Sequence, residues 1–165
     1  MGEAPPAADR VAGRGPSQYI LQLREKVGHD LLVLPSVTIL LFDDDQRLLL
    51  VRHHNRGLWV APGGMVEPDE DPAVTARREM REETGIEVVL VRMLGVFGGP
   101  EFRVRYQNGD EVGYVMAVYE ARSSGGRPRP DQVETLDIGF FSREQIETME
   151  TASWLPVVLR EVTWP

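Results

Sequence analysis

Cysteine is absent from the 165-residue chain. That excludes disulfide staples, thiolate metal sites and cysteine nucleophiles together. A chain without disulfides suits a reducing compartment, so a cytoplasmic location is the expectation. Long apolar runs are missing too: none approaches the roughly 18–20 residues of a membrane-spanning helix. The opening stretch MGEAPPAADRVAGRGPS lacks the apolar centre of a secretory signal. Positive charge is scarce, with 18 Lys and Arg against 26 Asp and Glu, a formal net charge of −8. Such a surface disfavours non-specific nucleic-acid binding, which needs a positive field. An anionic ligand must then be received by a cation or by local arginines.

The length and a hydrophobic content of 42% fit one domain with a sizeable core. Residues 1–16 read as a flexible tail and 17–165 as a single domain that begins with a helix. In PSQYILQLREKVGHD, Ser17 is the N-cap, Tyr19, Ile20, Leu23 and Val27 form the apolar stripe, and Gly28 is the stop. SVTILLFDDDQRLLLVRHH reads as two strands around a solvated acidic turn at Asp43, Asp44 and Asp45. GLWVAPGG carries a short strand into a glycine-rich loop, and a helix follows from Asp71 (N-cap) and Pro72 to its stop at Gly85. IEVVLVRMLGVFGG is strand. EFRVRYQNGDEVGYVMAVYEA is a hairpin turning at Asn108-Gly109. RSSGGRPRPDQ reads as loop, ETLDIGFF as strand, and SREQIETM as a final helix with Ser142 and Gln145 spaced as a capping box. Many strands with two or three helices make an α+β sandwich the expected architecture.

The helix from Pro72 ends in REMREET, which places Glu79, Glu82 and Glu83 near its C-terminus. Negative charge is opposed there by the helix dipole, and like charges three or four apart cost about 0.2–0.5 kcal/mol per pair. At about 100° per residue the three glutamates share one arc, and Ala73, Ala76 and Met80 form the apolar stripe beside it. Three carboxylates converging from a rigid helix make an oxygen-rich site suited to Mg²⁺ or Mn²⁺. The competing explanation is a solvated face on which Arg77, Arg78 and Arg81 neutralise the glutamates pairwise.

The wider pattern favours the first. Gly64, five residues, Glu70, seven residues, then Arg78-Glu79-Met80-Arg81-Glu82-Glu83-Thr84-Gly85-Ile86 resembles the complete signature of the Nudix hydrolases. The resemblance implies a Nudix-type α/β/α sandwich with a central mixed β-sheet. It implies Glu79, Glu82 and Glu83 as metal ligands, with the Gly63 carbonyl beside them. Glu70 would pair with Arg78 and orient the glutamates, while Gly64 and Gly85 serve backbone geometry. The implied reaction is Mg²⁺-dependent hydrolysis of a diphosphate linked to another moiety, usually a nucleoside diphosphate derivative. Glu79 is one candidate base, and Glu134 in the later loop is another.

Substrate contacts fall outside the signature. Arg52, His53, His54 and Arg56 are read as lining the mouth of the site. Arg103 and Arg105, alternating on one strand face, are candidates to receive phosphate, and Trp59 is assigned to the core. Pro100 stands where ADP-ribose-hydrolysing members carry a proline, which favours ADP-ribose or a related nucleotide sugar over a nucleoside triphosphate. A nucleotide-sensing module without turnover is the third alternative. The apolar stripe of the first helix must pack somewhere, and a homodimer is the expectation.

Overall fold

The computed structural model describes residues 16–54, 57–133 and 135–165. The chain runs α1 (Gln18–Val27), β1 (Leu32–Leu41), β2 (Leu48–His53), β3 (Trp59–Val60), β4 (Gly63–Met65), α2 (Pro72–Thr84) and β5 (Ile86–Phe97). It continues through a 3-10 turn (Pro100–Phe102), β6 (Arg103–Arg105), β7 (Glu111–Gly126), β8 (Thr135–Phe141), α3 (Arg143–Glu147) and α4 (Trp154–Glu161).

The expected mixed sheet has the order β4-β1-β7-β5, with β6 also paired to β7. A smaller antiparallel sheet, β3-β2-β8, lies beside it. The only parallel pairing between named strands of the described residues joins β1 and β7, from Leu32↔Val112 to Leu41↔Ala121. From Ser36 to Leu41 strand β1 is buried at every position, which is why it reads as a nearly unbroken apolar run. Period-2 alternation then divides the core. Leu40, Leu48, Leu50, Met116 and Val118 pack with Phe102 and α4 on one side. Val37, Ile39, Leu41 and Leu49 pack with Ala76 and Met80 of α2 on the other.

Helix α2 begins and ends where its sequence dictates. The Asp71 carboxylate accepts from the Ala73 N–H at 2.8 Å, and Gly85 adopts the left-handed conformation, with φ of 71°, as the stop. Ala76 and Met80 are fully buried, so the helix cannot rotate without exposing them. The acidic turn is closed locally, with Asp43 accepting from the N–H groups of Asp45 at 3.0 Å and Arg47 at 2.8 Å.

Some expectations change. Helix α1 forms, with Ser17 Oγ accepting from the Ile20 N–H at 3.3 Å, yet none of its residues is buried. Strand β7 continues to Gly126 through residues read as loop, because β5 is long enough to pair with it as far as Ile86↔Gly126. Helix α4 was not expected, since SREQIETM is read as the final helix, and Pro156 falls inside it. That proline sits in the first turn, where its missing N–H has no intrahelical partner to lose. The tail lies outside the described residues except for its last position.

Gly85 gives the first test. A Cβ there would sit 3.1 Å from the Arg127 carbonyl oxygen, at a positive φ. Gly85→Ala is expected to destabilise by about 1–2 kcal/mol, the cost of a left-handed non-glycine residue, measured by urea unfolding. Unchanged stability would show that the α2 stop does not constrain the fold.

Candidate active site

The last two turns of α2 present the three glutamates, and the fold treats each differently. Glu83 is 1% exposed and Glu79 7% exposed, whereas the Glu82 side chain is partly open to solvent. The Gly63 N–H on β4 donates to Glu83 Oε2 at 3.3 Å. Gly64 has a steric role: a Cβ at that position would lie 2.4 Å from Glu79 Oε1. The Glu79 carboxylate therefore lies directly over the β4 backbone, in space that only glycine leaves free.

Arg78 binds this group together. It donates Nε to Glu70 Oε1 at 2.8 Å and Nη2 to Glu70 Oε2 at 2.9 Å, a bidentate pair. Its Nη1 donates to Glu79 Oε1 at 2.7 Å and to Glu82 Oε2 at 3.3 Å. Glu70 accepts further from Thr75 Oγ1 at 2.8 Å and from the Glu67 N–H at 3.3 Å. The Arg78 hydrogen bond, aided by those from Thr75 and Glu67, draws the Glu70 pKa down to about 2. Glu79 moves the other way, because burial pushes its carboxyl up against the pull of Arg78.

The expected pairing of Glu70 with Arg78 is thus present, and so is the neutralising role of Arg78 that the competing explanation invoked. The side chains leave no group of three or more His, Cys, Asp or Glu closed around one point among the described residues. The donor set nonetheless fits a hard divalent cation. It is all oxygen, on one arc of a rigid helix, with the Gly63–Gly64 backbone pressed against Glu79 and Glu83. Glu79, Glu82, Glu83 and the Gly63 carbonyl are the candidates to hold one.

Beside this face opens a cleft of about 380 Å³, bordered by Gly63 and Gly64 at the glutamate end. Ser36, Met65, Met116, Tyr106, Tyr114 and Trp154 line the remainder, with His53 and His54 at its side. No Asp, Glu, Lys or Arg among the described residues lines it. The hydroxyls of Tyr106 and Tyr114 lie 2.6 Å apart in a hydrogen bond. Burial lowers the His53 pKa, with Asp131 opposing, so its imidazole is neutral at physiological pH.

The structure brings only part of the substrate expectation to this cleft. His53 and His54 reach it, whereas Arg52 turns away and donates Nε to the Gly57 carbonyl at 3.1 Å. Arg103 Nε donates to Glu111 Oε2 at 3.1 Å, and Arg105 Nε lies 3.7 Å from Glu111 Oε1. Strand alternation sends both arginines to the face of β6 opposite Val104, and Val104 is the residue that lines the cleft. Arg56 and Glu134 lie outside the described residues. Trp59 is half-buried and meets Phe141 edge-on at 4.8 Å, as a core residue does. Pro100 opens the 3-10 turn that buries Phe102, which gives that proline a structural function. The cleft tyrosines were missed, although alternation around Asn108-Gly109 already sets positions 104 and 106 on one face with 112, 114 and 116.

The model of the NUDIX domain family matches residues 33–162. A CMP-5'-(N-acetyl-N-hydroxy-3-aminopropyl)phosphonate hydrolase of Streptomyces rubellomurinus is 32% identical over 127 residues, covering 70% of this chain and 62% of that protein. A MutT-like protein of Streptomyces ambofaciens is 36% identical over 111 residues, covering 67% of this chain and 65% of that protein. The chain therefore spans less than two thirds of the length of these curated relatives. An ADP-ribose pyrophosphatase from Streptococcus suis superposes with a TM-score of 0.56 at 26% identity, covering 77% of this chain and 90% of that one.

The Glu70–Arg78 pair makes a signed prediction. A carboxylate whose folded pKa is lowered to about 2 from 4.5 adds stability that is complete above the unfolded value. That contribution is lost as pH falls from 4.5 through about 2. Glu70→Gln is expected to cost about 1–3 kcal/mol at neutral pH and to flatten the acid limb of the stability profile. Superimposable unfolding free energies of the two proteins from neutral pH down through the acid limb would show that the pair contributes nothing.

Proposed function

Since this chain belongs to the Nudix family, its NUDIX domain spanning residues 33–162, we propose that it hydrolyses a diphosphate bond in a nucleoside diphosphate linked to another moiety, with Mg²⁺ as cofactor and Mn²⁺ as a substitute. One observation carries the reading. The intact signature folds so that Glu79 and Glu83 lie against Gly63 and Gly64 of β4, the two residues that also border an aromatic-lined cleft. When bound, the divalent cation clamps phosphate oxygens and lowers the pKa of a water. Glu82 and Glu83 hold the phosphate-binding end, and Arg78 fixes the Glu79 carboxylate. Glu79 is assigned to take the proton of the attacking water. Glu134 is the second candidate for that proton.

ADP-ribose or a related nucleotide sugar is the substrate proposed. The Streptococcus suis relative is an ADP-ribose pyrophosphatase, and the Streptomyces rubellomurinus relative acts on a CMP joined to another group. A cleft with no charged lining among the described residues suits the nucleoside end of such a molecule. Metal-dependent product release, measured over ADP-ribose, nucleotide sugars and nucleoside triphosphates, tests this directly. Glu82→Gln and Glu83→Gln are each expected to lower turnover by at least about 100-fold with the fold retained. Undiminished Mg²⁺-dependent hydrolysis in both variants would sink the assignment. Binding without turnover in the parent protein would make the chain a sensor instead.

A homodimer belongs to the same proposal. Helix α1 buries none of its residues and exposes Tyr19, Leu21 and Val27. Val33, Val115, Val96 and Met93 are also exposed, on β1, β7 and β5. Exposed apolar side chains in such numbers favour an interaction face. Sedimentation at micromolar concentration is expected to show a dimer, and a monomer throughout that range would reject it.

A further inference from the structure

The floor of the cleft contains a buried hydroxyl that the fold itself does not use. Cross-strand register sets Met65, Ser36 and Met116 in one row over β4, β1 and β7, and all three line the cleft. Ser36 is 5% exposed, and its Oγ has no hydrogen-bond partner among the described residues. Thr38, two positions along the same strand face, differs: its Oγ1 donates to the Pro62 carbonyl at 3.2 Å. The fold satisfies one hydroxyl of this face and leaves its neighbour between two thioethers.

A buried hydroxyl without a bond weakens a fold, and such groups are few in native proteins. Alanine would occupy the same place on β1 without that cost, so the hydroxyl calls for another use. The surroundings specify one. Methionine sulfur makes favourable contacts with aromatic rings, and its unbranched side chain shifts readily to admit one. The Tyr106 and Tyr114 hydroxyls add a polar pair within the same cleft, and no charged side chain among the described residues lines it.

We infer that Ser36 is a specificity residue whose Oγ hydrogen-bonds the polar edge of a neutral heterocyclic ring, of the nucleobase class, seated between Met65 and Met116. The remainder of the ligand then passes over Gly63 and Gly64 towards the glutamate face. The inference rests on the proposed function only for what the ring is attached to.

Calorimetric titration of the metal-free protein with adenosine, guanosine, cytidine and uridine tests it, because none of these carries phosphate. The parent protein is expected to prefer one of them. Ser36→Ala should weaken that one by about tenfold, the worth of one hydrogen bond, and change the others less. Its Tm should equal or exceed the parent's, since an unsatisfied group has been removed. A lower Tm with equal loss for all four nucleosides would assign Ser36 to structure and overturn the inference, as would unchanged affinities. Ser36→Cys, nearly isosteric and a weak donor, gives the same reading if the alanine variant does not fold. Hydrolysis is followed in parallel. Turnover without nucleoside binding overturns the inference alone, whereas selective binding through Ser36 without turnover supports it and removes the hydrolase reading.

Discussion

Three carboxylates on the last turns of a helix repel one another and the helix dipole, and Arg78 counters that repulsion at Glu79 and Glu82. One edge of its guanidinium grips Glu70 in a bidentate pair, and Nη1 reaches Glu79 and Glu82. The grip on Glu70 matters because Glu70 lies in the loop before α2, outside helical spacing. It is itself anchored by Thr75 and the Glu67 backbone. A loop residue thereby fixes an arginine, and the arginine fixes the orientation of the carboxylate beside it. Lysine has no fork with which to do both.

That arrangement holds only because the sheet gives it a fixed wall. Strand β4 is three residues long, yet two of them decide where the acids lie. Gly63 supplies an N–H to Glu83, and Gly64 supplies the space into which Glu79 folds. The position of β4 follows from β1, to which it pairs at Ser36, Val37 and Thr38. Since β1 is buried on both sides over that stretch, a slip by one residue would invert every side chain and is strongly disfavoured. The same three residues of β1 thus set the height of the glutamate wall and lay the floor of the cleft.

Legibility in the sequence followed how local each determinant is. Asp71, Pro72 and Gly85 bound α2 through contacts within one turn, and Asn108-Gly109 turns a hairpin by its own backbone preference; both could be read directly. The pairing of β1 with β7, some eighty residues apart, depends on no local signal, and the cleft is built from that pairing. Ser36 and Met116 meet only through its register. Arg103 and Arg105 fall outside the cleft for a related reason. Alternation correctly placed them on one face, but the sequence does not show that Glu111 pairs with that face while the cleft opens on the other.

Charge is distributed to match this architecture. The chain carries a net charge of −8, three of its acids share the α2 wall, and the adjoining cleft has no charged lining among the described residues. A phosphate approaching the glutamate face meets repulsion that Arg78, already engaged with Glu70, Glu79 and Glu82, cannot cancel. A neutral ring entering the cleft meets none. On the proposed reading, the two halves of a nucleotide would be recognised by separate physical means, dispersion and hydrogen bonding at one end and cation-bridged attraction at the other. Affinity for the charged end would depend on the divalent cation, while affinity for the neutral end would come from β1, β4 and β7. The first should vary with metal concentration and salt, and the second should be nearly indifferent to both.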